Sequence, residues 1–261
     1  MSACAQGFAL QNVGYEIAGT PILHPLSVEL AGGEVIGLVG QNGSGKSTLV
    51  KLLARQLTPT GGELRYQGKP LERWASRDLA RRIAYLPQHP ATGTGLSARE
   101  VVAFGRYPWH GPFGRFGTED GERVRAAMER TGTSALAERD LDTLSGGERQ
   151  RVWLAMLVAQ DAQCLLLDEP TSALDIAHQI EVLTLVRSLS REGGRCVVIV
   201  LHDVNMAARF CDRIVALRGG RLAVDESVGR FMTPQSLRAV YGLDMRILAH
   251  PPHDVGVAVP T

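Results

Sequence analysis

The sequence predicts an α/β fold, and three stretches predict it. The first is Val35–Val39, an apolar run that leads through Gly40-Gln-Asn-Gly-Ser-Gly-Lys-Ser-Thr48 into residues with the apolar spacing of a helix. The second and third are Cys164–Leu167 and Cys196–Leu201, short apolar runs that read as buried strands and end in Asp168-Glu169 and His202-Asp203. Strands that deliver polar residues at their ends, with helices between, form a sheet with a site along one edge. At 261 residues the chain could be one large α/β domain or two small ones, with ample length for a core.

The glycine-rich connection carries the most specific chemistry. Gly40, Gly45, Lys46 and Ser47 fit G-x-x-x-x-G-K-[ST], in which glycines let successive backbone N–H groups turn inward around an anion. Asn42, Gly43, Ser44 and Thr48 complete that cradle. The lysine reaches the outer phosphates of a nucleotide, the Ser47 hydroxyl is free to ligate Mg²⁺, and the helix start adds partial positive charge. A Gly-rich turn before an ordinary helix is the plain alternative. The complete motif, with strand before and helix after, favours the phosphate loop.

Composition narrows the class. Charged residues make up 21% of the chain and the formal net charge is +1, so no basic excess argues for nucleic acid and no acidic tail for a disordered partner segment. Cys4, Cys164, Cys196 and Cys211 show no Cys-x-x-Cys spacing, and two of them lie in apolar runs, which fits a reducing cytoplasm. Neither a signal peptide nor an apolar run of about 20 residues is expected, so work at a membrane would require docking on something else.

Taken in order, Phe8–Val13 and Leu26–Leu30 read as strands, with Tyr15 between them. Tyr15 is either core or, upstream of the phosphate loop, a platform for an adenine ring. Thr58-Pro-Thr-Gly-Gly62 is a turn, Glu63–Lys69 a strand ending in a turn, Ala75–Arg82 helical, and Ile83–Leu86 a strand stopped by Pro87. Gln88 at that strand's exit is a solvated loop residue unless a triphosphate lies beside it, where its amide could ligate Mg²⁺ or orient water. Residues 91–119 break the alternation. They collect Gly, Pro, Tyr107, Trp109, Phe113 and Phe116, which reads as an irregular surface loop or as an interaction surface. Asp120–Ala137 then reads as a helix with Val124, Ala127, Met128 and Thr131 on one face.

Leu144-Ser-Gly-Gly-Glu-Arg-Gln150 opens the next helix. Ser145 suits an N-cap and Glu148 lies three residues on, as in a capping box. Gly146 and Gly147 also leave N–H groups open to an anion, which makes a second phosphate-contacting surface, one that could serve a nucleotide held by another copy of the chain. Asp168 and Glu169 follow one another at a strand end, so alternation points them to opposite faces and to different jobs. Asp168 suits holding Mg²⁺, directly or through water, and Glu169 suits polarising an attacking water. Thr171–Asp175 turns into a helix over 176–189, and His202 at the end of its strand is either structural or a γ-phosphate contact. Val215–Val224 reads as a hairpin, Thr233–Tyr241 as a short helix, and residues 249–261 as a loose tail.

Together these residues resemble the ATP-binding subunit of ABC transporters over residues 8–248. Leu144–Gln150 matches the signature sequence that separates this family from other P-loop NTPases. The resemblance implies a RecA-like core, an antiparallel β subdomain and a helical subdomain over about 89–160. It assigns Tyr15 to adenine stacking, Gln88 to the Q-loop, Asp168 to Walker B, Glu169 to the catalytic carboxylate, Asp175 to the D-loop and His202 to the switch histidine. No key position is replaced, so hydrolysis of ATP with Mg²⁺ on Ser47, Gln88 and Asp168 is implied. So is a head-to-tail homodimer with each ATP between Gly40–Thr48 of one copy and Ser145–Gly147, with Asp175, of the other.

Within the family, Gly105–Gly111, Leu157–Asp161, Ser172–Gln179 and Leu201–Ala208 look most like importers of iron–siderophore complexes, ferric hydroxamate above all. Relatives importing vitamin B12, haem or ferric citrate share much of this pattern. The resemblance implies a subunit peripheral to the cytoplasmic face of the inner membrane. A permease would dock on residues 91–117 and an extracytoplasmic siderophore-binding protein would deliver cargo. A soluble ABC ATPase acting on DNA or ribosomes usually carries two cassettes or a coiled-coil insertion, and an exporter usually carries fused membrane helices, though some exporters use separate subunits; the sequence shows one cassette with neither insertion, which favours the importer. Intact Glu169 and His202 disfavour a non-hydrolysing cassette.

Overall fold

The computed structural model describes residues 7–90, 95–110, 114–172, 174–250 and 255–261. Cys4, Phe113 and parts of the 91–117 segment fall outside the described residues. The chain opens with β1 (Phe8–Ile17) and β2 (Thr20–Leu30), continues through β3 (Val35–Gly40) and α1 (Lys46–Leu53), and then makes β4 (Gly61–Tyr66) and β5 (Lys69–Pro70). Next come α2 (Ser76–Ala80), β6 (Ile83–Leu86), α3 (Ala98–Ala103), α4 (Tyr107–His110), α5 (Thr118–Arg130) and α6 (Gly146–Gln160). The last third holds β7 (Cys164–Leu167), α7 (Ile176–Gly193), β8 (Cys196–Val200), α8 (Val204–Phe210), β9 (Arg213–Arg218) and β10 (Arg221–Ser227). It closes with α9 (Val228–Phe231), α10 (Pro234–Tyr241), β11 (Met245–Leu248) and β12 (Val257–Pro260).

The central sheet runs β10-β9-β3-β8-β7-β6, parallel throughout except for the β9–β10 hairpin at its edge. Its strands alternate between two apolar layers, as a period of two requires. Ile36, Leu38, Cys164, Leu166, Cys196 and Val198 face α1, whose Leu49, Leu52 and Leu53 are sealed in turn by the antiparallel sheet β2-β1-β4-β5. Val35, Val39, Leu165, Leu167, Val197 and Ile199 face α6, α7 and α8 on the other side. Each fully buried leucine of α1 contributes about 1.5–3 kcal/mol through burial. The helix behind the phosphate loop is thus held on both flanks.

A third apolar cluster joins Val101 and Val102 of α3, Val124, Ala127 and Met128 of α5, and Val152, Ala155 and Ala159 of α6. Helix α6 serves both bodies, since its Leu154 and Leu157 belong to the central layer. Helix α5 stops at Arg130, short of the expected Ala137, because Gly132 takes a left-handed turn and Thr131 bonds back to the Ala127 carbonyl.

Where it is described, the Gly/Pro/aromatic stretch forms α3, α4 and the start of α5 rather than an irregular loop. Asp120 is buried against Arg106 Nε at 2.9 Å and His110 Nε2 at 3.0 Å, and it accepts the Gly117 N–H. Burial pushes the Asp120 carboxyl up, but that N–H and the Arg106 guanidinium, with the His110 ring beside them, outweigh it and hold the group below the usual carboxylate range. Trp109 is half-buried, donating to the Gln160 carbonyl at 2.9 Å and lying between the Arg81 and Arg106 guanidinium groups. The large exposed aromatics here are Phe104, Tyr107 and Phe116. Trp109→Ala is therefore expected to lower stability by about 2–4 kcal/mol, read as a fall in the urea midpoint, as truncating a packed aromatic does.

The tail also departs from expectation. Residues 257–260 are not loose but pair antiparallel with β11, and Ala258 is buried in the central layer. Among the described residues no helix is long and apolar enough to cross a membrane.

Candidate active site

The phosphate loop leaves β3 at its C-terminal end and enters α1 at Lys46. Gly40 has φ of 143° and a Cβ there would lie 2.1 Å from the Leu217 carbonyl; Gly45 has φ of 98° and would meet Leu23 Cδ2 at 2.4 Å. Only glycine fits these two positions, so the loop geometry is written in the residues themselves. The Ser44 hydroxyl is buried with no hydrogen-bond partner among the described residues, a donor open to an anion. Lys46 Nζ donates to the Gly40 and Gln41 carbonyls, each at 2.9 Å. Burial pulls this ammonium below the ordinary lysine range, against the opposing pull of Glu169 and Asp168.

Opposite the loop stand the ends of β6, β7 and β8. Gln88, Glu169 and His202 line, with Ile22 and residues 42–48, one open cleft of about 490 Å³. Gln88 Nε2 donates to Glu169 Oε2 at 2.5 Å, and His202 Nε2 lies 2.7 Å from Glu169 Oε1. The carboxylate is held from both sides. Asp168 lies beneath the cleft, only 2% exposed, and accepts from Ser47 Oγ at 3.0 Å.

The two acids do diverge, but strand alternation is not the cause. Strand β7 ends at Leu167, and Glu169 adopts φ of 53°, a left-handed turn that costs a non-glycine residue about 1 kcal/mol. Ser172 braces the turn by donating its N–H and hydroxyl to the Glu169 carbonyl.

Burial raises the Asp168 carboxyl above its ordinary value of 3.8, with Glu169 adding to the rise and Ser47, Lys51 and Lys46 opposing it. A carboxyl whose folded pKa is raised makes the protein more stable as pH falls from above that pKa toward 3.8. Asp168→Asn is accordingly expected to raise the Tm of the nucleotide-free chain at pH 8. The gain should shrink in calorimetry as pH is lowered toward the ordinary carboxylate range, while ATP turnover is lost.

Other expected residues lie elsewhere. Tyr15 does not line the cleft; it sits half-buried on β1, opposite Leu23, and Ile22 takes the wall beside the loop. Ser145, Gly146, Gly147 and Asp175 are also outside this cleft. Ser145 caps α6, its side chain accepting the Glu148 N–H while Glu148 accepts the Ser145 N–H at 2.9 Å. Asp175 caps α7 and holds His178 Nδ1 at 2.8 Å, and the His178 ring lies against Gly147. The sequence reading missed His178 and Gln41. The spacing of His178 three residues after a capping aspartate was the available signal.

The profile of the family described as "ABC transporter" matches residues 23–172. The chain belongs to that family. This ABC cassette is 39% identical to the iron(3+)-hydroxamate import ATP-binding protein FhuC of Bacillus subtilis (strain 168), across 92% of the chain and 90% of the relative. It is 43% identical to the hemin import ATP-binding protein HmuV of Nocardia farcinica (strain IFM 10152), across 95% and 85%. Among solved structures, a chain of an ABC transporter assigned to the metal-chelate type, in an inward-facing conformation, superposes with a TM-score of 0.85 at 26% identity over 98% of both chains. The ATP-binding cassette MJ0796, solved as a dimer in a post-hydrolysis state with ADP and Pi, gives 0.74 at 27% identity over 85% of this chain and 98% of that one. The chain is thus the ATP-binding, ATP-hydrolysing subunit of an ABC transporter.

Proposed function

We propose that this ABC cassette powers import of iron–siderophore complexes, ferric hydroxamates first among them, through a partner permease. The observation that carries the catalytic part is the Glu169 carboxylate, held between Gln88 and His202 and facing the phosphate loop across one cleft. ATP lies with its phosphates on Gly40–Thr48. Glu169 takes a proton from water as the water oxygen bonds to the γ-phosphorus and the bond to the bridging oxygen breaks. His202 steadies the carboxylate and the developing charge.

The residues suit Mg²⁺. Asp168 is a buried carboxylate whose own pairing within the chain leaves its charged form disfavoured, and a dication would relieve that. Ser47, Asp168 and the Gln88 carbonyl oxygen would hold the ion, which supplies charge neutralisation on the outer phosphates.

Ser145–Gly147 and Asp175 lie outside their own chain's cleft, which supports a homodimer in which they close over the partner's ATP. Loss of the γ-phosphate then removes the anion shared by the two surfaces, and the dimer opens. The exposed Phe104, Tyr107 and Phe116 support permease docking on the 91–117 segment. The subunit is then peripheral at the cytoplasmic face of the membrane, with cargo brought by an extracytoplasmic binding protein. The similarity to a hydroxamate importer cassette supports the cargo, and the similarity to a hemin importer cassette makes haem the second reading.

The test is uptake of radioactive iron as a hydroxamate siderophore, and separately as hemin, in cells deleted for the gene. Restoration of hydroxamate uptake by the wild-type chain, and not by Glu169→Gln, is the expected result. A hemin defect alone would move the cargo to haem.

A further inference from the structure

We infer that the C-terminal segment, from α10 through β12, is a brace that positions His202, acting through Asn205 as the positioning residue. The inference rests on the placement of His202 in the proposed active site. Helix α8 begins two residues after His202 and is only seven residues long, so contacts made elsewhere decide where its first turn sits. Asp203 caps that turn, accepting the N–H groups of Asn205 at 2.7 Å and Met206 at 3.2 Å. Whatever fixes Asn205 therefore fixes the backbone that carries the imidazole.

The side chain of Asn205 is committed to the tail. Its Nδ2 donates to the Ala258 carbonyl at 3.2 Å and its Oδ1 accepts the Ala258 N–H at 2.8 Å, a two-point match of amide to backbone. Ala258 is 5% exposed and packs in the same apolar layer as Ala207 and Phe210 of α8. Burial alone would hold β12 near α8, while the paired hydrogen bonds set its register.

The segment is also tied at its other end. Gln41 Nε2, in the phosphate loop, donates to the Tyr241 carbonyl at 2.6 Å, and Arg218 Nη1 donates to the Ala239 carbonyl at 2.8 Å. One continuous frame therefore runs from the phosphate loop through α10, β11 and β12 to α8. It touches the phosphate loop at Gln41 and α8 at Asn205, and through the latter it is inferred to hold His202 at its 2.7 Å contact with Glu169.

Phosphate release by the full chain tests the brace, with Asn205→Ala, Ala258→Pro, their combination and His202→Ala measured side by side. Ala258→Pro removes the N–H that Asn205 accepts. Because misplacing a reacting group by about 1 Å costs up to about a hundredfold, each single change is expected to lower kcat about tenfold with KM for ATP within about twofold. The pair should be no worse than either alone, since both break one link. Asn205→Asp keeps the acceptor for the Ala258 N–H but sets an oxygen against the Ala258 carbonyl, so it should not recover the loss.

Wild-type kcat in Asn205→Ala, or independent losses that multiply in the pair, would overturn the brace. So would a parallel change in kcat and KM with a lowered Tm. If His202→Ala itself turns over normally, the active-site reading fails instead.

Discussion

Glu169→Gln is expected to lower ATP turnover about a thousandfold while leaving ATP binding intact and holding two copies of the chain together. The substitution is close to isosteric, and the Glu169 side chain is held at both oxygens, by Gln88 Nε2 at 2.5 Å and His202 Nε2 at 2.7 Å. A glutamine can accept one of these contacts and meet the other after a flip of the Gln88 amide or a change of histidine tautomer. The left-handed turn at position 169 asks the same of either residue, so the wall of the cleft stays in place. What is lost is the proton acceptor. Bound ATP should therefore persist and keep bridging the phosphate loop of one copy to Ser145–Gly147 of the other. Phosphate release at saturating ATP and sedimentation with ATP read the two effects separately. Turnover within about fivefold of wild type would remove Glu169 from the role of base; a variant that stays monomeric with ATP would count against the bridging geometry.

The parts of this site that sequence could supply are those whose constraint is local. Gly40 and Gly45 announce the loop because the backbone there admits no side chain, and Ser145 with Glu148 announces a helix start because both partners of the capping box lie within one turn. The strands β7 and β8 were legible as apolar runs because both their faces are buried. Other features depend on residues far apart in the chain. Residues 104–110 take their form from Asp120, from Arg77 and Arg81 about 30 positions away, and from Gln160, none of which composition links to them. Trp109 consequently reads as a surface aromatic in sequence and is a half-buried tie in the fold. The tail reads as loose because its partner, Asn205, lies 53 residues upstream. Tyr15 reads as an adenine platform from its position before the loop and from the family resemblance, and the register of β1 on β2 places it opposite Leu23, outside the residues that line the cleft. The divergence of Asp168 and Glu169 was anticipated, but its cause is a single left-handed residue rather than strand alternation.

Lys46→Ala is expected to weaken ATP binding at least a hundredfold, roughly 2.7 kcal/mol, and to abolish the rise in Tm that ATP gives the wild-type chain. The wild-type ammonium is already out of water, resting on the Gly40 and Gln41 carbonyls at 2.9 Å. Its desolvation cost is met on folding, as its lowered pKa records, so a triphosphate gains the charge without stripping water from it. Without the lysine, two carbonyl oxygens face the outer phosphates with no cation between them. In the nucleotide-free chain the losses and gains nearly cancel, because relief of a buried charge offsets two hydrogen bonds, so the apo Tm should move by only a few degrees. That combination separates the variant from Glu169→Gln, which keeps the ligand-induced shift and loses turnover alone. Arginine should not restore binding, since its planar fork cannot occupy the compact seat between the two carbonyls. If Lys46→Ala kept the ATP-induced shift while its apo Tm fell sharply, the ammonium would be a strut of the loop rather than its phosphate contact.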